Sequence, residues 1–398
     1  MALTQRSRIS LADLRDPSRF PKSDYIEHLY RIILQREPDT DGLQGYSRRE
    51  DTQNLFREFL GSREFKEISR NTAYFSGRTI SRPKILLFGA YGNGNIGDAI
   101  QAISLLRVIR SIRQDLEIWA CSQLPCQFPF PFEYVLPSKH IYNVSLLNQF
   151  DLMIIGGGGL LSHPHEPLTS EEWQRSIDVP VSLFGIGAER QVAHECKTLI
   201  KKALYVSGRD ESSLRALRRF RSDVQFVPDP VLADPHYCSW STTKRNGLTV
   251  DRNRLWIIKN ATDIHTHKLA RMIDQDKDQI CFIEPFLDFP LLDIFPTAHP
   301  IHFIDDLISL IDQSAVVISM RYHGCILALL RNKPVVGLFE QKSLELLLRY
   351  NLAPFFYADG TTVPDPTGFR RPRSKVLADR EIFRAALTNV LSLILVPN

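Results

Sequence analysis

Residues 84–98 read KILLFGAYGNGNIGD. The apolar run Ile85–Phe88 has no polar alternation, the pattern of a strand buried on both faces. A glycine-rich turn follows, and then a helix start. Gly92, Gly94 and Gly97 make the turn a formal match to G-x-G-x-x-G. A dinucleotide loop makes a second demand: an acid about 20 positions on, at the end of the next strand, to hold the ribose hydroxyls. The next strand is EIWACS, whose one acid, Glu117, stands at its start, while its end runs Ala120-Cys121-Ser122-Gln123. Gly92 also lies far past the first strand. The turn therefore reads as a glycine loop for some other anion. Asn95 and Gly97 belong to it, and its backbone N–H groups at the helix start favour negative charge. Asp98 stands in the first helical turn, where a carboxylate suits the dipole, either as a cap or facing a ligand.

Outward from this stretch, short β-rich runs alternate with helical segments: KILLF, EIWAC, LMIIG, VSLFGIG, ALYVS and VQFV. That is the pattern of a parallel sheet with crossover helices. The alternation pauses after PDPVLADPHY at 228–237, and a polar connector, SWSTTKRNGLTVDRN, follows. A second series then begins: RLWIIK, QICFIE, PIHFI, AVVIS and PVVGLF, with helical candidates at 263–275, 304–312, 323–331 and 342–350. The expected organisation is a helical module over 1–75, a linker over 76–83, and two Rossmann-like halves over 84–235 and 236–398. In the module, Ile26, Leu29, Tyr30, Ile33 and Leu34 form one helical stripe. PDTDG breaks that helix, and Leu55, Phe56, Phe59 and Leu60 resume it.

Composition bounds the function. A net charge of +4 in 398 residues gives no reason to expect nucleic acid as a partner, though local arginine patches suit an anionic substrate. No apolar run reaches the length of a membrane span, and MALTQRSRISLADLRD lacks the apolar core of a secretory signal. The six cysteines are scattered without a C-x-x-C pair. Reduced thiols and a cytoplasmic setting follow as expectations. No acidic cluster or histidine pair has a third ligand, so no metal is expected.

Three further stretches carry chemistry. DLMIIGGGGLL, 151–161, sets four glycines directly after a buried strand. One or two satisfy a turn, so Gly157, Gly158 and Gly159 suggest a bare backbone wall facing a ligand, with tight sheet–helix packing as the plainer account. In VSGRDESSL, 206–214, Arg209 sits where a strand meets a helix, with Asp210 or Ser212 as the cap. AVVISMRYHGCILALL, 315–330, places Arg321, His323 and Gly324 at the start of a helix that is apolar all round and therefore buried. A guanidinium, a helix N-terminus and an imidazole together suit a phosphate or carboxylate. Lys342 at the next helix start is poorly placed against the dipole unless an anion is near.

These sites, in this order, resemble the polysaccharide pyruvyl transferase family. The matching residues are GNGNIGDA (92–99), DLMIIGGGGLL (151–161), VSLFGIGA (181–188), SGRDESSL (207–214), PDPVL (228–232), SMRYHG (319–324), KPVVGL (333–338) and Lys342. The resemblance implies an α/β fold like that of GT-B glycosyltransferases, with two Rossmann-like halves facing a cleft. It implies transfer of pyruvate from phosphoenolpyruvate to two sugar hydroxyls as a cyclic ketal, with release of phosphate. Phosphoenolpyruvate would be a co-substrate, with no cofactor. The acceptor would be a glycan or lipid-linked saccharide. The expected roles are His323 as acid or as the group that polarises the phosphate, Asp98 as base, and Arg321, Arg209 and Lys342 as cations. Family members often end a strand early in the second half with arginine; here it ends in Lys259 and Asn260.

The N-terminal segment resembles an uncharacterised bacterial helical module that accompanies glycan and surface-layer proteins. It carries the resemblance in Tyr30-Arg31, in Leu34-Gln-Arg36-Glu-Pro38-Asp39-Thr-Asp-Gly42-Leu43 and in Ser62-Arg-Glu64-Phe65. Docking to membrane-associated glycan assembly partners, at the inner membrane face, is the role this suggests. Two rival readings stand beside the transferase: a GT-B glycosyltransferase using a nucleotide sugar, with Glu340 or Glu345 as the acid that follows its phosphate loop, and a non-catalytic glycan-binding or scaffold protein.

Overall fold

A computed structural model describes residues 13–34, 38–49, 51–52, 54–62, 64–65, 82–123, 132–238, 254–260, 263–358 and 365–394. The expected linker falls almost wholly outside these residues, as does most of the polar connector before Arg254.

The first sheet has seven parallel strands: β1 Lys84–Phe88, β2 Glu117–Ser122, β3 Tyr134–Pro137, β4 Leu152–Gly156, β5 Val181–Ile186, β6 Tyr205–Gly208 and β7 Gln225–Phe226. Their order is β3-β2-β1-β4-β5-β6-β7. The second sheet has six: β8 Arg254–Ile258, β9 Gln279–Phe282, β10 His299–Pro300, β11 Val316–Ser319, β12 Val335–Leu338 and β13 Phe356–Tyr357, in the order β10-β9-β8-β11-β12-β13. Each order reverses beside its own first strand, as in a doubly wound nucleotide-type sheet. The chain is thus α/β and GT-B-like. Strands β3 and β13 have no counterpart in the pattern read from sequence. They are short edge strands, too brief for alternation or a continuous apolar run to register.

The central strands are sealed on both faces. Ile85, Leu86, Leu87, Leu152, Met153, Ile154 and Ile155 are fully buried, and so are Leu255, Trp256, Ile257 and Ile258. The expected helices of the second half form at Asp263–Met272, Ile304–Gln313, Tyr322–Leu330 and Gln341–Arg349. Glu117, the acid tested against the dinucleotide reading, is buried and accepts from Trp119 Nε1 at 2.7 Å.

Residues at the C-terminal ends of the two sheets meet. Ile96 N donates to Ile283 O at 3.0 Å, and Ser212 N donates to Glu345 Oε2 at 3.1 Å. Ile96, Ile100, Val231, Leu232 and Tyr237 share one apolar core with the second half. The final helix, Arg373–Ser392, does not stay with the half to which its position assigns it. Its buried face, Phe383, Leu387, Val390 and Leu391, packs into the core of the first half, with Phe383 edge-on to Phe184 at 5.1 Å. Burial of that stripe is the reason: Phe383, Leu387 and Val390 are fully excluded from solvent there.

The N-terminal helices Lys22–Ile33, Thr40–Ser47 and Leu55–Gly61 enclose their own core of Leu14, Tyr25, Ile26, Leu29, Tyr30, Ile33, Leu55, Phe59 and neighbours. The turn that breaks the first helix also starts the second. Asp39 accepts from Gly42 N at 2.7 Å as its cap. A side chain at Gly42 would meet Tyr30 Oη at 2.1 Å, which accounts for a glycine there. Among the described residues, no helix is long and apolar enough to cross a membrane.

Candidate active site

The helix Ile96–Ile112 begins at Asn95, whose side chain accepts from Gly97 N at 2.8 Å. Asn95 is therefore the cap, and Asp98 is released from that duty. Asp98 Oδ2 instead accepts from Asn93 Nδ2 at 2.8 Å, within the glycine turn. Opposite stands the helix Tyr322–Leu330, buried along its whole length, with Arg321 at its N-cap position but making no side-chain capping bond. The two helix starts touch: a Cβ on Gly97 would lie 2.1 Å from His323 Nδ1. A glycine in that turn thus admits the imidazole of the other half. The same comparison separates the other glycines. Gly157 and Gly158 take positive φ, 70° and 85°, and lie against Gln101, with Asp98 Oδ1 3.7 Å from a Cβ on Gly158. A Cβ on Gly159 would meet Ser162 Oγ at 3.1 Å and Arg209 Nη2 at 3.7 Å. Gly324 is explained by packing, because a Cβ there would strike Ser319 Oγ at 2.3 Å.

Arg209 leaves β6 and is buried. Its guanidinium lies 4.6 Å from the ring centre of Tyr322, which belongs to the other half. It reaches Asp210 at 3.5 Å and Asp229 at 3.6 Å. Asp210 caps the helix Glu211–Leu217 by accepting from Ser213 N at 2.9 Å. His323 is buried too, with Nε2 3.5 Å from Asp229 Oδ2. Among the described residues, three buried nitrogens here make no hydrogen bond: Arg321 Nε, and Arg209 Nε and His323 Nε2, which stand 3.5 Å from Asp210 and from Asp229. Orphaned donors are rare in folded interiors and commonly mark a site with a missing partner.

Arg321 differs from expectation in one respect. Its terminal nitrogens are held by Glu284, at 2.5 Å, and by Asp288. Asp288 also accepts from Asn260 N at 2.7 Å, and Asn95 Nδ2 reaches Glu284 at 3.3 Å from the first half. The fork is thus anchored to the loop after β9, leaving only Nε uncommitted. Burial raises the Glu284 carboxyl above the ordinary range, against the pull of Arg321.

Lys342, at the start of Gln341–Arg349, is half-exposed and 3.9 Å from Glu340. Burial pushes its ammonium below the usual lysine range. Glu340 opposes this, and the cations Arg209, Lys259 and Arg321 push the same way. Lys259 pairs with Glu340, so the departure at the end of β8 ends in an ion pair beside the site. Burial raises the Glu340 carboxyl, but Lys259 and Lys342 outweigh it and hold the group low. Glu340 and Glu345, the acids a nucleotide-sugar reading would use, are thus already bonded within the protein.

Elsewhere, His163 is exposed and His165 packs edge-on to Phe88 at 5.8 Å. His265 stacks on Phe339 at 4.3 Å. No metal-type cluster occurs among the described residues. Burial pushes the Cys121, Cys196 and Cys325 thiols up to about 12, so they are inert near neutral pH.

Four residues of the site were not singled out from sequence. Asp229 lay in the quoted PDPVL without a role. Glu284 stands just after β9, and the rule used against the opening loop, an acid at a strand end, would have marked it. Asp288 and Gln101 carry no such signal, being polar residues within helical segments.

Residues 95–338 match the family model described as polysaccharide pyruvyl transferase. No curated protein matches the chain. Among solved structures, it is similar to MnaA of S. aureus in a co-structure with UDP, at 12% identity over 76% of this chain and 91% of that one, TM-score 0.49. HepE of Anabaena in complex with UDP is 14% identical over 78% and 99%, TM-score 0.47. UDP-N-acetylglucosamine 2-epimerase from Rickettsia bellii is 12% identical over 79% and 97%, TM-score 0.49.

Proposed function

The chain belongs to the polysaccharide pyruvyl transferase family, and from that premise we propose that it moves pyruvate from phosphoenolpyruvate onto two hydroxyls of one sugar in a glycan or lipid-linked saccharide. The carrying observation is the set of cations from both halves, Arg209, Arg321, His323 and Lys342, with the buried Nε of Arg209 and of Arg321 making no hydrogen bond among the described residues. Phosphoenolpyruvate has close to three negative charges near neutral pH, since a phosphate ester's second pKa is about 6. Such a donor offsets the repulsion from Arg209, Lys259 and Arg321 that adds to burial in depressing the Lys342 ammonium.

The chemistry follows from the residue types. Protonation of the methylene carbon makes C2 electrophilic, and His323 is the acid for that step. One acceptor hydroxyl adds at C2, phosphate leaves, and the second hydroxyl closes the ketal. Of the two hydroxyl protons lost, one is balanced by the new methyl group and the other by the departing phosphate. Asp98, at the start of the opposing helix, is the base. Arg209 and Lys342 hold the donor's anionic groups. Arg321 contributes through Nε while Glu284 and Asp288 keep its fork aligned. No step calls for a metal or cofactor. A cytoplasmic site of action, where phosphoenolpyruvate is available, belongs to the same reading.

The test is phosphate release from phosphoenolpyruvate across a panel of glycan acceptors. Release that needs an acceptor and disappears in His323→Ala supports the reading. Release unchanged in that variant, or absent with every acceptor, overturns it.

A further inference from the structure

Asp229 is fully buried where the two halves meet, and its two oxygens do different things. Oδ1 accepts from Val231 N at 3.0 Å and caps the short helix Pro230–Ala233. A cap needs no more than that. Oδ2 accepts from Gln101 Nε2 at 2.6 Å and lies 3.5 Å from His323 Nε2 and 3.6 Å from Arg209 Nη1. One oxygen thus gathers a residue of the helix Ile96–Ile112, the arginine after β6 and the imidazole of the second half. The opposite ring nitrogen, Nδ1, is the one beside Gly97.

We propose that Asp229 is a positioning residue for the transfer, orienting His323 so that Nε2 carries hydrogen toward the carboxylate and Nδ1 is the nitrogen that exchanges a proton with the substrate. The two ring nitrogens are chemically distinct, and the bond made by one sets the task of the other. The spacing of 3.5 Å is slightly long for a hydrogen bond, and catalytic contacts of this kind commonly tighten once substrate is bound. The carboxylate is available for the role: burial would raise it, but His323, Arg209 and the Val231 N–H hold it below the usual aspartate range. Gln101 fixes its rotation through a bond between two buried side chains.

The role of Nδ1 rests on the reading of His323 as the acid, whereas the orientation of the ring does not, so the two can be tested apart. Nitrogen NMR of histidine-labelled protein, recorded where the rings are neutral and without any substrate, reports which nitrogen of each ring bears hydrogen. The His323 signal is the one missing in His323→Gln. We expect the Nε2–H form to dominate in the wild type and to lose that dominance in Asp229→Asn. The asparagine keeps a cap oxygen, and the unpartnered Gln101 Oε1 can accept from its amide after rotating, so the fold has a way to accommodate it. Phosphate release in that variant should drop on the order of 10²- to 10⁴-fold, as when an orienting carboxylate is made neutral in a catalytic triad, with a smaller change in KM for phosphoenolpyruvate. A wild-type His323 bearing its hydrogen on Nδ1 overturns the inference whatever the variant does. So does a tautomer balance unchanged in folded Asp229→Asn. If the tautomer shifts as expected but the wild type releases no phosphate with any acceptor, the orientation stands and the proposed reaction fails.

Discussion

At position 97, one methyl group separates glycine from alanine, and that methyl would sit 2.1 Å from His323 Nδ1. Gly97→Ala should push the imidazole aside by about 1 Å. A displacement of that size commonly costs on the order of 10²-fold in rate. Alanine suits a helix start at least as well as glycine, so melting should change far less than phosphate release; parallel assays of the two check this. Lys342 provides a pH test. Its ammonium is held below the usual lysine range, chiefly by burial and then, against Glu340, by Arg209, Lys259 and Arg321. The charge is present below that lowered value and lost as pH rises through it. Donor affinity should therefore begin to weaken on the alkaline side at a pH below the roughly 10.4 of a free lysine. KM for phosphoenolpyruvate measured against pH shows this. Lys342→Ala should raise KM about 10-fold near neutrality, since the group is half-exposed, and flatten the alkaline limb. That Arg209, His323 and Lys342 stand at strand-to-helix junctions was readable from residue order. That the Arg321 fork is anchored by Glu284 and Asp288 was not, because those acids lie 37 and 33 positions away in the chain.

Among the elements, the helix Arg373–Ser392 carries the clearest structural prediction. It follows the second half in sequence yet buries Phe383, Leu387 and Val390 against the first. It is also tied to the second half, because Asp379 accepts from Arg349 Nε and Tyr350 Oη at 2.8 Å each. Phe383→Ala should cost about 3–5 kcal/mol in urea unfolding, the usual range for deleting a fully buried aromatic ring. A loss under about 1 kcal/mol would mean the helix is not docked there. Its buried positions recur every three or four residues, but one of them is Asp379, and Leu377 and Ile382 stand exposed beside the stripe, which blurs the pattern in sequence. Helix Tyr322–Leu330 lies at the other extreme. Its nine residues are all buried, and an apolar run after a strand predicted that without any tertiary information.

A donor gripped by cations of both halves should stabilise the whole fold. A ligand that engages only the folded protein raises stability by about 2.7 kcal/mol at 100 times its Kd. Phosphoenolpyruvate should therefore raise the melting temperature by several degrees, UDP or GDP should leave it unchanged, and Arg209→Ala should abolish the response. Protection by the nucleotides alone would move the assignment to a nucleotide-sugar enzyme. Periodicity and glycine placement were enough to read two parallel sheets and the strand ends where Arg209, Arg321 and His323 stand, because burial on both faces and tight turns leave local marks in residue order. Asn95 as the cap, Gly97 as the seat for His323, and Asp229 as the shared partner of Gln101, Arg209 and His323 emerged only once the chain had folded. Pairing of charges depends on distance in space. A carboxylate's nearest cation is set by how two halves pack, which no spacing along the backbone encodes.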